Sequence, residues 1–65
     1  MKLIVNGETK ITNANTIEEL LEELGIKDKV MAAALNMEVV KKDNWSTCKL
    51  QENDKVEFLQ FVGGG

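Results

Sequence analysis

Sixty-five residues, 43% of them hydrophobic and 29% charged, have the make-up of one small globular domain rather than a disordered tail. At that size folding buries only about 60% of the unfolded surface, and one cysteine with no histidine leaves neither an intramolecular disulfide nor an ordinary zinc site to supplement the core. The net charge of −3 runs against the basic stripe that nucleic acid selects, and no apolar run approaches the roughly 18 residues of a membrane helix.

Met1-Lys2-Leu3 enters a strand pattern rather than a signal peptide, and a lone cysteine without an export signal points to a reducing cytoplasm. Lys2-Leu3-Ile4-Val5-Asn6 reads as the first strand and Asn6-Gly7 as a hairpin turn, because both residues tolerate positive φ. Residues 8–12 return as the second strand. A strict two-residue turn sets Leu3 opposite Lys10, whereas a three-residue loop with a glycine bulge sets Leu3 opposite Ile11. Matching of apolar faces favours the bulged loop.

After the connection Asn13-Ala14-Asn15, Thr16 and Glu19 fit a capping box, with the Thr16 hydroxyl on the Glu19 amide and the Glu19 carboxylate reaching back. Ile17, Leu20, Leu21 and Leu24 fall on one stripe of a helix over 17–24. Gly25 is placed as its left-handed stop, and Ile26 folds back on the last turn. Residues 30–35 form a third strand, with alanines where a helix packs closely. Asn36-Met37 turns it, and Glu38-Val39-Val40 is a short fourth strand. A polar stretch, Trp45 and an irregular segment lead to a last strand over 55–62. The order β-β-α-β-β-β is an α+β layer of one helix on a sheet.

Few residues carry chemistry. Glu18, Glu19, Glu22 and Glu23 lie off the apolar stripe and read as a solvated face. Cys48 has no histidine to serve as its base and reads as a small, half-buried hydrophobe. Trp45 reads as packing over the helix or a sheet edge. No phosphate-cradling loop, metal ligand set or triad is present, which argues against an autonomous enzyme; no catalytic residue and no metal site are assigned.

The last strand and its end remain. Val56 and Phe58 point to one face and should be core, and Lys55, Glu57, Leu59 and Phe61 point to the other. One helix cannot cover both faces of a sheet, so apolar surface near Leu59 and Phe61 is either an open binding patch or covered by the helix or the Trp45 loop. Gly63, Gly64 and Gly65 add a reach of about 10 Å at 3.3–3.6 Å per residue. A backbone without Cβ atoms can thread a narrow channel and carry a carboxylate to a distant reaction centre. Composition alone does not separate such a tool from an inert tail.

Taken together, "MKLIVNGE", "TIEELLEELGI", the "NWS" after the fourth strand, "ENDKVEFLQFV" and the final "GGG" resemble the thiamine-biosynthesis sulfur carrier family, ThiS, over essentially the whole chain. The resemblance implies a ubiquitin-like β-grasp fold, a mixed sheet packed on one main helix with the first and last strands parallel neighbours at its centre. It implies a β-grasp domain over 1–62 and a flexible glycine tail over 63–65. It also implies that the Gly65 carboxylate is adenylated and converted to a thiocarboxylate, with Gly63 and Gly64 threading the partner's active site and Leu59, Phe61 and Val62 forming the partner-binding surface.

The implied partners are an adenylyltransferase related to ubiquitin-activating enzymes, thiazole synthase, and a sulfur relay from a cysteine desulfurase. ATP and metal belong to the activating enzyme, so the chain binds no cofactor and works as a non-catalytic co-substrate, monomeric when free. Asn36-Met37 and Asn53 stand where the family often has glycine, and Lys41-Lys42 replaces a proline-containing stretch. Alternative readings are a sulfur carrier of another pathway, like the small subunit of molybdopterin synthase, a ubiquitin-like protein modifier, and a structural β-grasp module with an inert tail.

Overall fold

Asn6 and Gly7 take φ values of 49° and 84°, the two left-handed positions of a type I′ turn, whose twist matches that of the strands it joins. In the computed structural model, which describes residues 1–60, this turn links β1 (Lys2–Val5) to β2 (Glu8–Ile11). The register is Val5 opposite Glu8, Leu3 opposite Lys10 and Lys2 opposite Ile11. That corrects the bulged loop expected from face matching. All four residues of β2 are exposed, Ile11 at 76%, so β2 has no buried face to match, and the turn residues alone set the register.

The helix, α1 (Ile17–Glu23), is capped as its sequence indicates. Thr16 has extended backbone angles, and its Oγ1 accepts from the Glu19 amide at 3.1 Å. The Glu19 carboxylate reaches one residue further back than a capping box requires and accepts from the Asn15 amide at 2.8 Å. Two more first-turn amides find partners in the later irregular segment: Ile17 donates to the Cys48 carbonyl and Glu18 to the Trp45 carbonyl. At the other end Gly25 has φ 71°. Its amide donates to the Glu22 carbonyl and that of Ile26 to the Leu21 carbonyl, the two bonds of a Schellman stop. Seven residues are too few for a helix to persist by itself, and these bonds supply what its length does not.

A 3-10 turn over Lys27–Lys29 leads into β3 (Val30–Leu35). Asn36 and Met37, at φ 50° and 75°, turn the chain into β4 (Glu38–Val40); a second 3-10 turn over Lys42–Asn44 precedes Trp45, and β5 (Lys55–Gln60) closes the order. The sheet runs β2-β1-β5-β3-β4, parallel between β1 and β5 and antiparallel elsewhere. This is the β-grasp arrangement expected, with the first and last strands adjacent at the centre. Readings for Phe61, Val62, Gly63, Gly64 and Gly65, and for the boundary at 62, lie outside the described residues.

The core lies between the sheet and α1. Leu3, Ile17, Leu20, Leu21, Val30 and Val56 are its largest fully buried side chains. Trp45 is buried against them while its Nε1–H donates to the Val40 carbonyl at 2.9 Å. Of the three central alanines only Ala33 faces this core. Phe58 packs against the core but is only half-buried. Val5, the last residue of β1, pairs with Val56, so no strand on that side stands beside Phe58.

Thr12, buried at the end of the hairpin, donates from Oγ1 to the Glu23 carboxylate at 2.6 Å and accepts from the Ala14 amide at 3.0 Å. This tie between the hairpin and the end of α1 has no local sequence signature.

Two stability outcomes follow from this packing. Leu20→Ala is expected to cost about 2–5 kcal/mol, a large share of so small a domain's stability. Phe58→Ala is expected to stay below the 3–5 kcal/mol of a fully buried phenylalanine; urea titrations of both variants check the order. Met37→Gly should raise stability by up to about 1 kcal/mol, because an L-residue pays that much in the left-handed region. A lower denaturation midpoint for Met37→Gly would instead mean that its side chain holds the turn.

Candidate functional site

Alternation along β5 sorts its side chains between two surfaces. Val56 is fully buried, whereas Lys55, Glu57 and Leu59 face away from the helix, Leu59 at 63% exposure. Residues directly opposite on neighbouring strands share a face. Glu57 is opposite Ala34, and Ala34 is opposite Val39; Leu59 is opposite Ala32. These form two rows on the side of the sheet that α1 does not cover. Val39 is 77% exposed. The small side chains of Ala32 and Ala34 leave a shallow, open depression of about 370 Å³ between Val39 on β4 and Glu57 and Leu59 on β5.

Of the two readings of the face at Leu59, open or covered, the structure shows the open one. Val39, Ala32 and Ala34 belong to the same surface and were not anticipated, since the alanines read as helix contacts. Their alternation within β3 carried the signal, but cross-strand neighbours come only from the register. Met37, 81% exposed at the β3–β4 turn, lies beside Ile4, Lys55 and Glu57 at the other end of the face. Phe61, Val62, Gly63, Gly64 and Gly65, which follow β5 in sequence, lie outside the described residues.

Side-chain hydrogen bonds fix the base of β5. Asn36 donates from Nδ2 to Asp54 Oδ1 and accepts from the Lys55 amide on Oδ1, both at 3.0 Å. Asp54 Oδ2 accepts from the Gln51 amide at 2.8 Å. Asn53 has φ 70°. Asn36, Met37 and Asn53 are all left-handed, the region that glycine enters without strain.

The remaining candidate groups have structural employment. Glu19 caps α1, Glu23 holds Thr12, and Glu18 and Glu22 each lie 3.5 Å from the Lys27 ammonium. Lys42 stands 5.7 Å from the centre of the Trp45 ring. Cys48 is partly buried, and its thiol is pushed above the ordinary cysteine range by burial and, after that, by the negative charge of Asp54. Both effects disfavour the thiolate, the reactive form. Among the described residues no group of three or more His, Cys, Asp or Glu side chains is gathered to hold a metal ion, and no helix is long and apolar enough to cross a membrane.

Comparison with known proteins gives a consistent answer. The model of the ThiS family matches residues 3–65. A thiazole synthase of Paramagnetospirillum magneticum is 39% identical over 66 residues, covering 100% of this chain but only 20% of that protein; the chain thus spans about a fifth of that relative's length. Sulfur carrier protein ThiS of Escherichia coli is 27% identical, with 100% of both chains covered. The crystal structure of the thiamine biosynthesis protein ThiS from Geobacter metallireducens superimposes with a TM-score of 0.81 at 33% identity, again over 100% of both chains.

The state of Cys48 has a measurable consequence. Its alkylation at about pH 8 should be slower than that of an unstructured peptide cysteine, and Asp54→Asn should speed it by removing a charge that opposes the thiolate. Because the folded thiol holds its proton to higher pH than the unfolded one, its contribution to stability is complete below the unfolded value. It is lost as pH rises through the raised folded value. Equal alkylation rates for the folded protein and the peptide would contradict this environment.

Proposed function

The chain belongs to the ThiS family, the sulfur carriers of thiamine biosynthesis, and we propose that its working group is the carboxylate of Gly65. A carboxylate resists acyl substitution because its oxygen is a poor leaving group. Attack of a Gly65 carboxylate oxygen on the α-phosphorus of ATP, in an activating enzyme related to ubiquitin-activating enzymes, expels pyrophosphate and leaves an acyl adenylate. The outer sulfur of a persulfide supplied from a cysteine desulfurase then attacks the acyl carbon and AMP departs with the oxygen; a thiol cleaves the resulting acyl disulfide by exchange, leaving the thiocarboxylate and a new disulfide. A thioacid is ionised at neutral pH, so the sulfur is held as a nucleophile until thiazole synthase takes it into the thiazole ring.

ATP and its metal ion are bound by the activating enzyme, and this chain is a co-substrate rather than a catalyst. It works in the cytoplasm and is monomeric when free. Gly63 and Gly64 give the slim backbone that enters the partner's active site, and Leu59, Phe61 and Val62 form the surface that the partner grips. The open face at Leu59 supports that surface, because its apolar rows adjoin the residues leading to Gly65.

The observation that carries the reading is the likeness along 100% of the Escherichia coli sulfur carrier, within a family match that includes Gly64 and Gly65. The thiazole synthase of Paramagnetospirillum magneticum supports the choice of acceptor, since a segment like this chain occurs there inside a protein of that name.

Intact mass spectrometry tests the assignment. Incubation with the activating enzyme, ATP and a sulfur donor should add about 16 Da, sulfur for oxygen, with the gain mapped to Gly65; Cys48→Ala should load equally, because its thiol lacks a base and is held protonated. Sulfur on Cys48, or loss of loading in a folded Cys48→Ala, would move the function to the thiol.

A further inference from the structure

The lane that β1 leaves empty beside the end of β5 has unused pairing capacity. In the parallel β1–β5 ladder the Ile4 amide donates to the Asp54 carbonyl, and the Asn6 amide to the Val56 carbonyl, each at 2.9 Å. The chain then turns away at Asn6 and Gly7. The next rung is made by a side chain: Asn6 Oδ1 accepts from the Phe58 amide at 2.9 Å. Thus Asp54, Val56 and Phe58 address β1. Lys55, between them, addresses the other side, its carbonyl accepting from the Asn36 amide and its amide donating to Asn36 Oδ1. Gln60 is paired with Val30 across a register shift whose extra residue lies in β3, not β5; with the alternation of main-chain groups along β5 kept, the Phe58 carbonyl and the Gln60 amide are the next groups to face the lane beyond the end of β1. Among the described residues no strand occupies that lane.

We propose that this lane is a strand-addition site, in which an extended segment of the thiazole synthase pairs with the Phe58 carbonyl and the Gln60 amide. The inference rests on the carrier reading above and adds how the acceptor enzyme holds the end of β5. An acceptor and a donor spaced along one strand edge are complementary to the donor and acceptor of another strand. The half-buried Phe58 ring gives an incoming side chain apolar contact on the core side. The lane reaches Gln60, five positions before Gly65 in sequence, so a strand paired there grips β5 close to the residue that carries the carboxylate. The thiazole synthase is chosen as the occupant because a segment like this chain and an activity of that name occur together in one relative.

Gln60→Pro removes the amide that faces the lane. It should leave the melting temperature within about 2 °C while weakening binding of the thiocarboxylate-loaded carrier to thiazole synthase at least tenfold more than Gln60→Ala, which keeps the N–H. If Gln60→Pro disturbs the fold, a synthetic chain with an ester in place of the Leu59–Gln60 amide removes the same hydrogen without fixing φ, and the same loss is expected. Equal binding by Gln60→Pro and Gln60→Ala overturns the proposal while the carrier function, read by sulfur loading, stands. Loss confined to the activating enzyme, or self-association of the free chain that Gln60→Pro abolishes, assigns the lane to another occupant and overturns it too. A wild-type chain that gains no sulfur overturns the carrier reading and this inference with it.

Discussion

Among the described residues one seven-residue helix is the main cover that a five-stranded sheet receives, helped by Ala14, Trp45 and Leu50 from the connecting segments, and most of the structure follows from that shortage. α1 buries one face over β1, β5 and β3. The core is therefore one layer of side chains deep, and every buried aliphatic residue matters. The helix is itself too short to stand without help. It is held by bonds from outside its own ladder: Thr16 and the carbonyls of Trp45 and Cys48 at its start, Glu23 to Thr12 at its end. The irregular segment between β4 and β5 is thus part of the helix's support, and the buried Trp45 pins that segment to the core.

The other face of the sheet stays open for the same reason. A domain with a second helix would cover Ala32, Ala34, Val39 and Leu59; here they remain in water, with Lys55 and Glu57 beside them. Their burial would release roughly 25 cal/mol for each Å² of apolar surface removed from solvent, a gain reserved for association rather than folding. The chemistry proposed for the chain needs no shifted side chain. In that proposal a main-chain carboxylate is activated on another protein, and the domain contributes shape and position.

Much of this was legible in the sequence where local chemistry alone decides. Thr16, Glu19 and Gly25 marked both ends of α1, and Asn6-Gly7 and Asn36-Met37 marked two turns with positive φ. Alternation placed Val56 inside and Leu59 outside. The misreadings fall where a residue's surroundings depend on strands distant in sequence. The hairpin register was inferred from matching faces, but β2 is a fully exposed edge strand on which that rule has no hold. The alanines of β3 looked alike, yet the register turns Ala33 to the helix and Ala32 and Ala34 to solvent. Phe58 read as core because its alternation is correct; that β1 stops short of it is a fact of topology. The uncovered face near Leu59 was foreseen as one of two possibilities, and its partners on β3 and β4 were out of reach without the sheet order.

The position of β5 has a consequence for how the protein is made. Among the described residues it is the last strand in sequence and the middle strand in space, with β1 on one side and β3 on the other. Contacts such as Ile4 with Lys55 span most of the chain, which delays folding relative to a helical domain of the same length. On the ribosome the earlier strands have no centre to assemble around until residues 55–60 have emerged. A nascent or truncated chain therefore cannot display the folded face. An enzyme that reads the folded face before acting on the end beyond it discriminates against incomplete molecules without any separate proofreading step.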